Sequence, residues 1–292
     1  MGAERGTVLA LLVGALPVTL LPAYALLLGS ALARRRALTA VSTGLVLAHL
    51  LVVAPALGAT DLPSGPVTRL RVVTANVYIL NPTPEAAFRA LRALQPDVLV
   101  VPELGPAGLA GLRASGLMAD LPHSLVQLGG RGETVGLFSR LPLRDSSTRE
   151  VGSRALPRAT VDVGGVPVRL LAVHPLPPLS VFEPLWRAAL VDLLRESRAV
   201  RLPVVLAGDF NADRDHAPFR RLLGSGLRDA HDERGRGLAR TFPAGFPVLQ
   251  LDHVLVRDGV GGRLAVQQVR EVDVPGSDHL GVLVDLSVSP SR

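Results

Sequence analysis

Asp209 and Asn211 follow directly on Val204, Val205, Leu206 and Ala207, a short apolar run that Gly208 ends. The run predicts a buried strand. Residues two apart in extended chain point to the same side, so the carboxylate and the amide can face one pocket. Such a pair can position a water, or a phosphate oxygen beside a metal ion. An Asp-x-Asn by itself more often closes a strand with an Asx turn, so its company decides. Five more apolar runs carry polar residues at their ends. Asn76 ends the first, Glu103 follows the second and His174 the third; Asp252 and His253 open a fourth, and Asp278 and His279 precede a fifth. Each could serve a turn. All of them together, always at the end of a buried strand, form the pattern of loops that carry a site on a rigid sheet.

The elements that must hold these residues alternate. Strands are predicted over 69–76, 97–102, 134–139, 158–163, 168–173, 204–207, 251–256 and 281–286, with a Gly164-Gly165 turn joining two of them. Helices are predicted from Thr83, a candidate cap with Pro84 at the first position, to Pro96, and over 107–114, 182–199 and 218–223.

Ahead of them lies a different composition. Residues 7–33 and 37–60 contain no charged residue, and either run is long enough to cross a bilayer, which takes about 20 apolar residues. They account for much of the 48% hydrophobic content and the mean hydropathy of +0.35. The expected organisation is a transmembrane helical hairpin over 1–60, a linker over 61–66 and one catalytic domain over 67–292. Arg34, Arg35 and Arg36 between the apolar runs place the turn in the cytoplasm by the positive-inside rule, so that the chain after residue 60 is extracellular on the cell membrane. The competing reading is a cleaved signal with a secreted enzyme behind it; the second apolar run argues against that. The net charge of +6 and pI near 11.1 resemble a nucleic-acid signature. All 31 basic residues are arginine, however, and residues 1–66 account for +2 of the total (Arg5, Arg34, Arg35 and Arg36 against Glu4 and Asp61), leaving +4. That permits an anionic substrate without requiring one. Absence of cysteine excludes a disulfide framework, thiolate metal ligands and a Cys nucleophile.

The ordered set Thr74-Ala75-Asn76, Pro102-Glu103, Ala172-Val173-His174, Gly208-Asp209-Phe210-Asn211, Leu251-Asp252-His253-Val254 and Ser277-Asp278-His279 resembles the endonuclease/exonuclease/phosphatase superfamily. The resemblance spans about residues 69–286; Pro102 stands where relatives commonly carry Gln. It implies an α/β (α+β) four-layer sandwich, two packed mixed β-sheets flanked by helices, here behind the hairpin. It also implies a metal-dependent hydrolase of phosphate esters. Glu103 would bind Mg2+ or Mn2+, with Asn76 and Asp278 completing an oxygen-rich shell. Asp209 and Asn211 would orient the attacking water and the phosphate. His279 would hydrogen-bond a phosphoryl oxygen or act as base, oriented by Asp252, and His174 would stabilise the pentavalent phosphorus or assist the leaving group. Arg158 is a candidate phosphate clamp. His253 alternates to the far side from Asp252 and is expected to be structural.

A nuclease or phosphodiesterase, a phosphomonoesterase and a phospholipid or sugar-phosphate hydrolase stay open as substrate classes, so the partner is nucleic acid or phospholipid, with a bilayer around residues 7–33 and 37–60 and a monomeric chain. A catalytically silent receptor for phosphorylated ligands is the non-enzymatic alternative; such a protein would have lost Glu103, Asp209 or His279, and all three are present.

Overall fold

The computed structural model describes residues 19–62, 66–128 and 134–291. Residues 7–18 of the first predicted membrane run lie outside them. What is described begins with two antiparallel helices, α1 (Pro22–Leu32) and α2 (Arg36–Val53), reversed at Arg34, whose φ is +56°. Their contact is polar and small: Ser30 and Ser42 hydroxyls lie 3.4 Å apart, and the Tyr24 hydroxyl is 2.9 Å from His49 Nδ1. The leucines, Leu28, Leu32, Leu47 and Leu51 among them, point outward. Among the described residues α2 is the one helix long and apolar enough to cross a membrane.

The rest is a sandwich of two six-stranded sheets. Its elements, in chain order, are β1 (Thr68–Thr74), α3 (Pro84–Ala93), β2 (Val98–Val101), α4 (Pro106–Ala114), α5 (Leu117–Asp120), β3 (His123–Gln127), β4 (Val135–Ser139), β5 (Arg144–Val151), β6 (Arg154–Val163) and β7 (Val166–Val173). There follow α6 (Glu183–Ala199), β8 (Val204–Asp209), α7 (Ala217–Leu223), β9 (Arg228–Asp229), α8 (Ala230–Glu233), β10 (Asp252–Arg257), β11 (Gly262–Val272) and β12 (Gly281–Pro290). The first sheet runs β11-β12-β1-β2-β4-β3 and the second β5-β6-β7-β8-β10-β9. Both are mixed, with β1/β2 and β7/β8 parallel and the other pairs antiparallel.

Alternation explains the layers. Along β1 and β2, Leu70, Val72, Val98 and Val100 join the core between the sheets, while Val73, Leu99 and Val101 pack under α3, α4 and α5 against Phe88, Leu91 and Leu112. Strands buried on both faces read as unbroken apolar runs, which is why β2 is Val-Leu-Val-Val. Trp186, Leu190 and Leu193 of α6, with Phe219 and Leu222 of α7, pack on the second sheet. Each such fully buried side chain stabilises the fold by about 1.5–3 kcal/mol. Thr83 does stand at the N-cap position of α3, but its hydroxyl makes no capping bond; Asn81 Oδ1 instead accepts from the Thr83 N–H at 2.7 Å.

The topology brings the polar strand ends together. The C-terminal ends of β1, β2, β7 and β8 and the N-terminal ends of the antiparallel β10 and β12 fall at one end of the sandwich, as the pairings Asp252–Asp209 and Thr74–Val282 show.

Candidate active site

Asp209, the last residue of β8, is the point of convergence. Its Oδ2 accepts from Asn76 Nδ2 at 3.1 Å and lies 3.9 Å from both His174 Nε2 and His279 Nε2. Its Oδ1 accepts from the Asn211 N–H at 2.8 Å, closing the turn after the strand. Asn76 follows β1 of the first sheet and Asp209 ends β8 of the second, so the site is stitched across the crevice between them. β8 can approach β7 this closely because residue 208 is glycine: at its φ of +152° a Cβ would sit 1.9 Å from the Val173 carbonyl oxygen.

Glu103 stands beside this centre with φ +56°, and Tyr78 and Asn211 on neighbouring loops are also in the left-handed region. Residues other than glycine adopt that region at a cost of about 1–3 kcal/mol each and do so characteristically at functional sites. The Glu103 carboxylate accepts from Asn76 Nδ2 at 3.0 Å and from the Ile79 N–H at 3.1 Å. Asn76 Oδ1 takes the Tyr78 N–H at 3.0 Å, so the amide presents its N–H donors, and not its oxygen, to the two carboxylates. Asn76 therefore orders Glu103 and Asp209 instead of facing the crevice with an oxygen ligand. Among the described residues no arginine pairs with Glu103. Asp278 next to it has its pKa raised, first by burial and then, though His279 works against this, by the charges of Glu103 and Asp252. Carboxylates that repel one another with no arginine between them suit a hard divalent cation. Glu103 and Asp278 would hold it, with Asp209 adjacent.

The two histidines differ in charge state. His279 Nδ1 is 2.8 Å from Asp252 Oδ2. Burial opposes its charge, but Asp252, Asp209 and Asp278 outweigh that and raise its pKa to about 10. It is an imidazolium at neutral pH, with Nε2–H aimed at the centre. His174 is the opposite case. Arg154 Nη1 lies 2.9 Å from His174 Nδ1 and donates to the His174 carbonyl, also at 2.9 Å. A guanidinium only donates, so Nδ1 must accept and the imidazole proton sits on Nε2. Burial, Arg154 and His279 together hold the His174 pKa well below its ordinary value, so this ring is neutral. Glu103, His174 and Asp209 have ligand atoms within 4.8 Å of one another, yet His174 Nε2 is occupied by its proton and does not complete a metal triad. Asp209 itself is pushed up to about 7, mainly by burial.

The structure thus gathers Asn76, Glu103, His174, Asp209, Asn211, Asp252, Asp278 and His279. It does not gather Arg158. That residue pairs with Glu196 of α6 and bonds Ser147 Oγ at 2.8 Å, and β6 pairing sets it opposite Leu171, well short of the strand end. β6 starts at Arg154, four residues earlier than the sequence suggests, and the arginine that reaches the site from β6 is Arg154, beside His174. His253 faces away, as its alternation implies: Nε2 contacts the Ala212 and Gln250 carbonyls at 2.8 and 3.1 Å, and Nδ1 is 2.5 Å from Asp229.

The same architecture occurs in solved proteins. TDP2 of D. rerio humanized by 14 mutations is 18% identical, with a TM-score of 0.62 over 75% of this chain and 98% of that one. D. rerio TDP2 complexed with single strand DNA product is 19% identical, with a TM-score of 0.62 over 75% and 98%. An endonuclease/exonuclease/phosphatase from Beutenbergia cavernae DSM 12333 is 23% identical, with a TM-score of 0.63 over 76% and 72%. No curated protein matches the chain by sequence. Residues 73–279, which carry every group gathered above, match the Endonuclease/Exonuclease/phosphatase family, and the chain belongs to it.

Proposed function

We propose that this protein is a metal-dependent hydrolase of phosphate esters, of the phosphodiesterase type, displayed at a membrane surface. Members of the family are phosphoester hydrolases. The observation that carries the reading is the convergence on Asp209: one buried carboxylate oxygen with the Nε2 atoms of two differently charged histidines each 3.9 Å away and the Asn76 amide at 3.1 Å.

The chemistry follows from those states. A phosphoryl group in the crevice meets two N–H donors, the His279 imidazolium and the neutral His174, which stabilise charge as it grows on phosphoryl oxygens. Asp209 orients the attacking water and takes its proton; an affinity near 7 matches that task at neutral pH. His279, protonated, is a donor and not the base. The water oxygen forms the new bond to phosphorus, the ester P–O bond breaks, and the leaving oxygen takes a proton. Asp252 holds the His279 ring, Arg154 holds the His174 ring, and Asn76 spaces the two acidic groups. A divalent cation held by Glu103 and Asp278 supplies Lewis-acid charge to the phosphate when bound. Calorimetric titration with Mg2+ and Mn2+ tests the ligand assignment: Glu103→Gln, which keeps the shape, should weaken binding at least about tenfold by removing one ligand charge, and unchanged affinity would exclude Glu103.

Membrane display rests on the helical pair, with its outward leucines, serine and Tyr-His contacts inside and an arginine turn at one end. A pair with its polar contacts inside and its apolar side chains outside is matched to lipid as its solvent.

A further inference from the structure

Resting on that hydrolase reading and on the hairpin's place in the bilayer, we propose that the substrate is a phosphate ester carried by a membrane lipid, taken from the same bilayer that holds the hairpin. Two independent observations lead there, one of position and one of surface.

The position comes from how the hairpin meets the sandwich. After α2 the chain docks directly: Ala56 is fully buried and its carbonyl accepts the Gly237 N–H at 3.0 Å, Ala59 bridges Arg234, and the Thr60 hydroxyl donates to the Glu233 carbonyl at 3.1 Å. Gly237 admits no side chain here, since a Cβ would lie 2.2 Å from Asp232 Oδ1 and 2.8 Å from the Ala56 methyl. Five residues further on, Phe242 packs its ring 4.8 Å from that of His279. Thr241 beside it bonds the Asp252 N–H through its hydroxyl at 3.2 Å and the Leu280 N–H through its carbonyl at 2.8 Å. Even fully extended, five residues span at most about 18 Å. The catalytic histidine is therefore held a short, fixed distance from the foot of the hairpin, where lipid headgroups lie.

The surface comes from three loop segments beside the crevice. Residues 77–83 follow Asn76, residues 175–182 follow His174, and residues 241–248 form the later part of the connection to β10, after Arg240. Each is tied to the site, by Ile79 N–H to Glu103, by the Asn211 amide to the Pro175 carbonyl at 3.1 Å, and by Ala244 N–H to the Asp278 carbonyl at 2.7 Å. In a chain with 31 arginines these three loops carry no charged residue at all. Their most exposed large side chains are apolar: Leu80 at 72%, Val181 at 74% and Phe246 at 77%. Single-stranded nucleic acid is held by aromatic faces together with a cationic track along its phosphates. Phe182 and Phe246 offer the first, and nothing on these loops offers the second. An apolar rim around an anion-accepting crevice, fixed beside a membrane hairpin, fits an ester whose phosphate enters the crevice while its acyl chains stay among apolar side chains. Hydrolysis there joins the water oxygen to phosphorus, breaks one P–O ester bond of the lipid and gives the departing alcohol its proton.

The test uses the full chain reconstituted in vesicles of equal parts phosphatidylcholine, sphingomyelin, phosphatidic acid and a phosphatidylinositol phosphate, with Mg2+ or Mn2+. A single-stranded oligonucleotide and soluble bis-p-nitrophenyl phosphate serve as competing substrates. The expected result is cleavage of a vesicle lipid. The triple variant Leu80→Ser, Val181→Ser, Phe246→Ser, with its fold checked by circular dichroism, should lower the ratio of vesicle-lipid to soluble-ester turnover by about tenfold or more. Cleavage of the oligonucleotide with all vesicle lipids intact, or a ratio unmoved in the triple variant, would overturn the lipid assignment and leave the hydrolase reading standing. No turnover of any of these esters would overturn both.

Discussion

At the scale of single residues, the proposed hydrolysis depends on two histidines of different charge. Arg154 and Asp252 set these charges from opposite sides: a cation that can only donate fixes His174 neutral, and an anion fixes His279 charged. Asp252→Asn should lower kcat by less than His279→Ala, which removes a group worth about 10²–10⁴-fold. The double variant should lose little more than His279→Ala alone, since residues acting as a unit are non-additive; multiplicative losses would show independent roles. Arg154→Ala, combined with His174→Ala, should behave the same way, with kcat measured on a soluble diester. The acidic and imidazole groups were legible in the sequence because each sits where an apolar run stops. Arg154 was not. In a chain this rich in arginine no single one stands out, and a strand start misjudged by four residues moves the choice along β6 by about 13 Å. Arg158 shares the face of Arg154 but not its position along the strand. Asn76 was legible as a site residue, whereas its role depends on which end of the amide points inward, and that is set by the Tyr78 N–H.

At the scale of elements, most strands announced themselves as apolar runs, and the exceptions have physical causes. β11 keeps Leu264 and Val266 inward, then resumes with Val269, because a bulge between Val266 and Gln268 shifts the phase; Val272 packs on the opposite face. A period-two pattern cannot be followed across such a shift. β5 is an edge strand with mostly exposed polar residues, so it presents no apolar run. Gly208 shows how tightly the elements constrain the site: Gly208→Ala should destabilise the fold by about 3 kcal/mol or more, measured by urea unfolding, because the methyl collides with backbone.

Behind the catalytic strand β10 lies a buried chain of ionic groups, Asp229, His253, His231 and Glu271, the last also paired with Arg236. Burial opposes charge on His231, but Asp229 and Glu271 outweigh it and raise its pKa to about 9 from 6.5. The native protein then holds a proton that the unfolded chain has lost. This contribution to stability is complete below pH 6.5 and is lost as pH rises through about 9. Urea midpoints should fall across that interval, and His231→Gln should flatten the fall; an equally steep fall in the variant would assign it elsewhere.

At the scale of the whole molecule, the hairpin and the sandwich form one unit through Ala56, Thr60 and the segment from Glu233 to Gly237. The composition of the hairpin was plain in the sequence, because long uncharged runs need no partner to be recognised. Its docking was not, because Gly235 and Gly237 gain meaning only when the backbone of residues 56–59 lies against them. The positive-inside rule predicts the arginine turn in the cytoplasm, and on that prediction a periplasm-reporting alkaline phosphatase fused after residue 66 should be active; activity only from a cytoplasmic reporter there would reverse the topology. In the proposed reaction Asp209, placed between two histidines and beside a cation that Glu103 and Asp278 would hold, drives hydrolysis of a phosphate ester. The most direct measurement is steady-state turnover of bis-p-nitrophenyl phosphate by wild type and Asp209→Asn, each with Mg2+ or Mn2+ and after chelation. The expected result is turnover by wild type that stops on chelation, returns when the metal is restored, and falls by about 10²–10⁴-fold or more in Asp209→Asn. Undiminished turnover in the chelated enzyme, or in a folded Asp209→Asn variant, would contradict it.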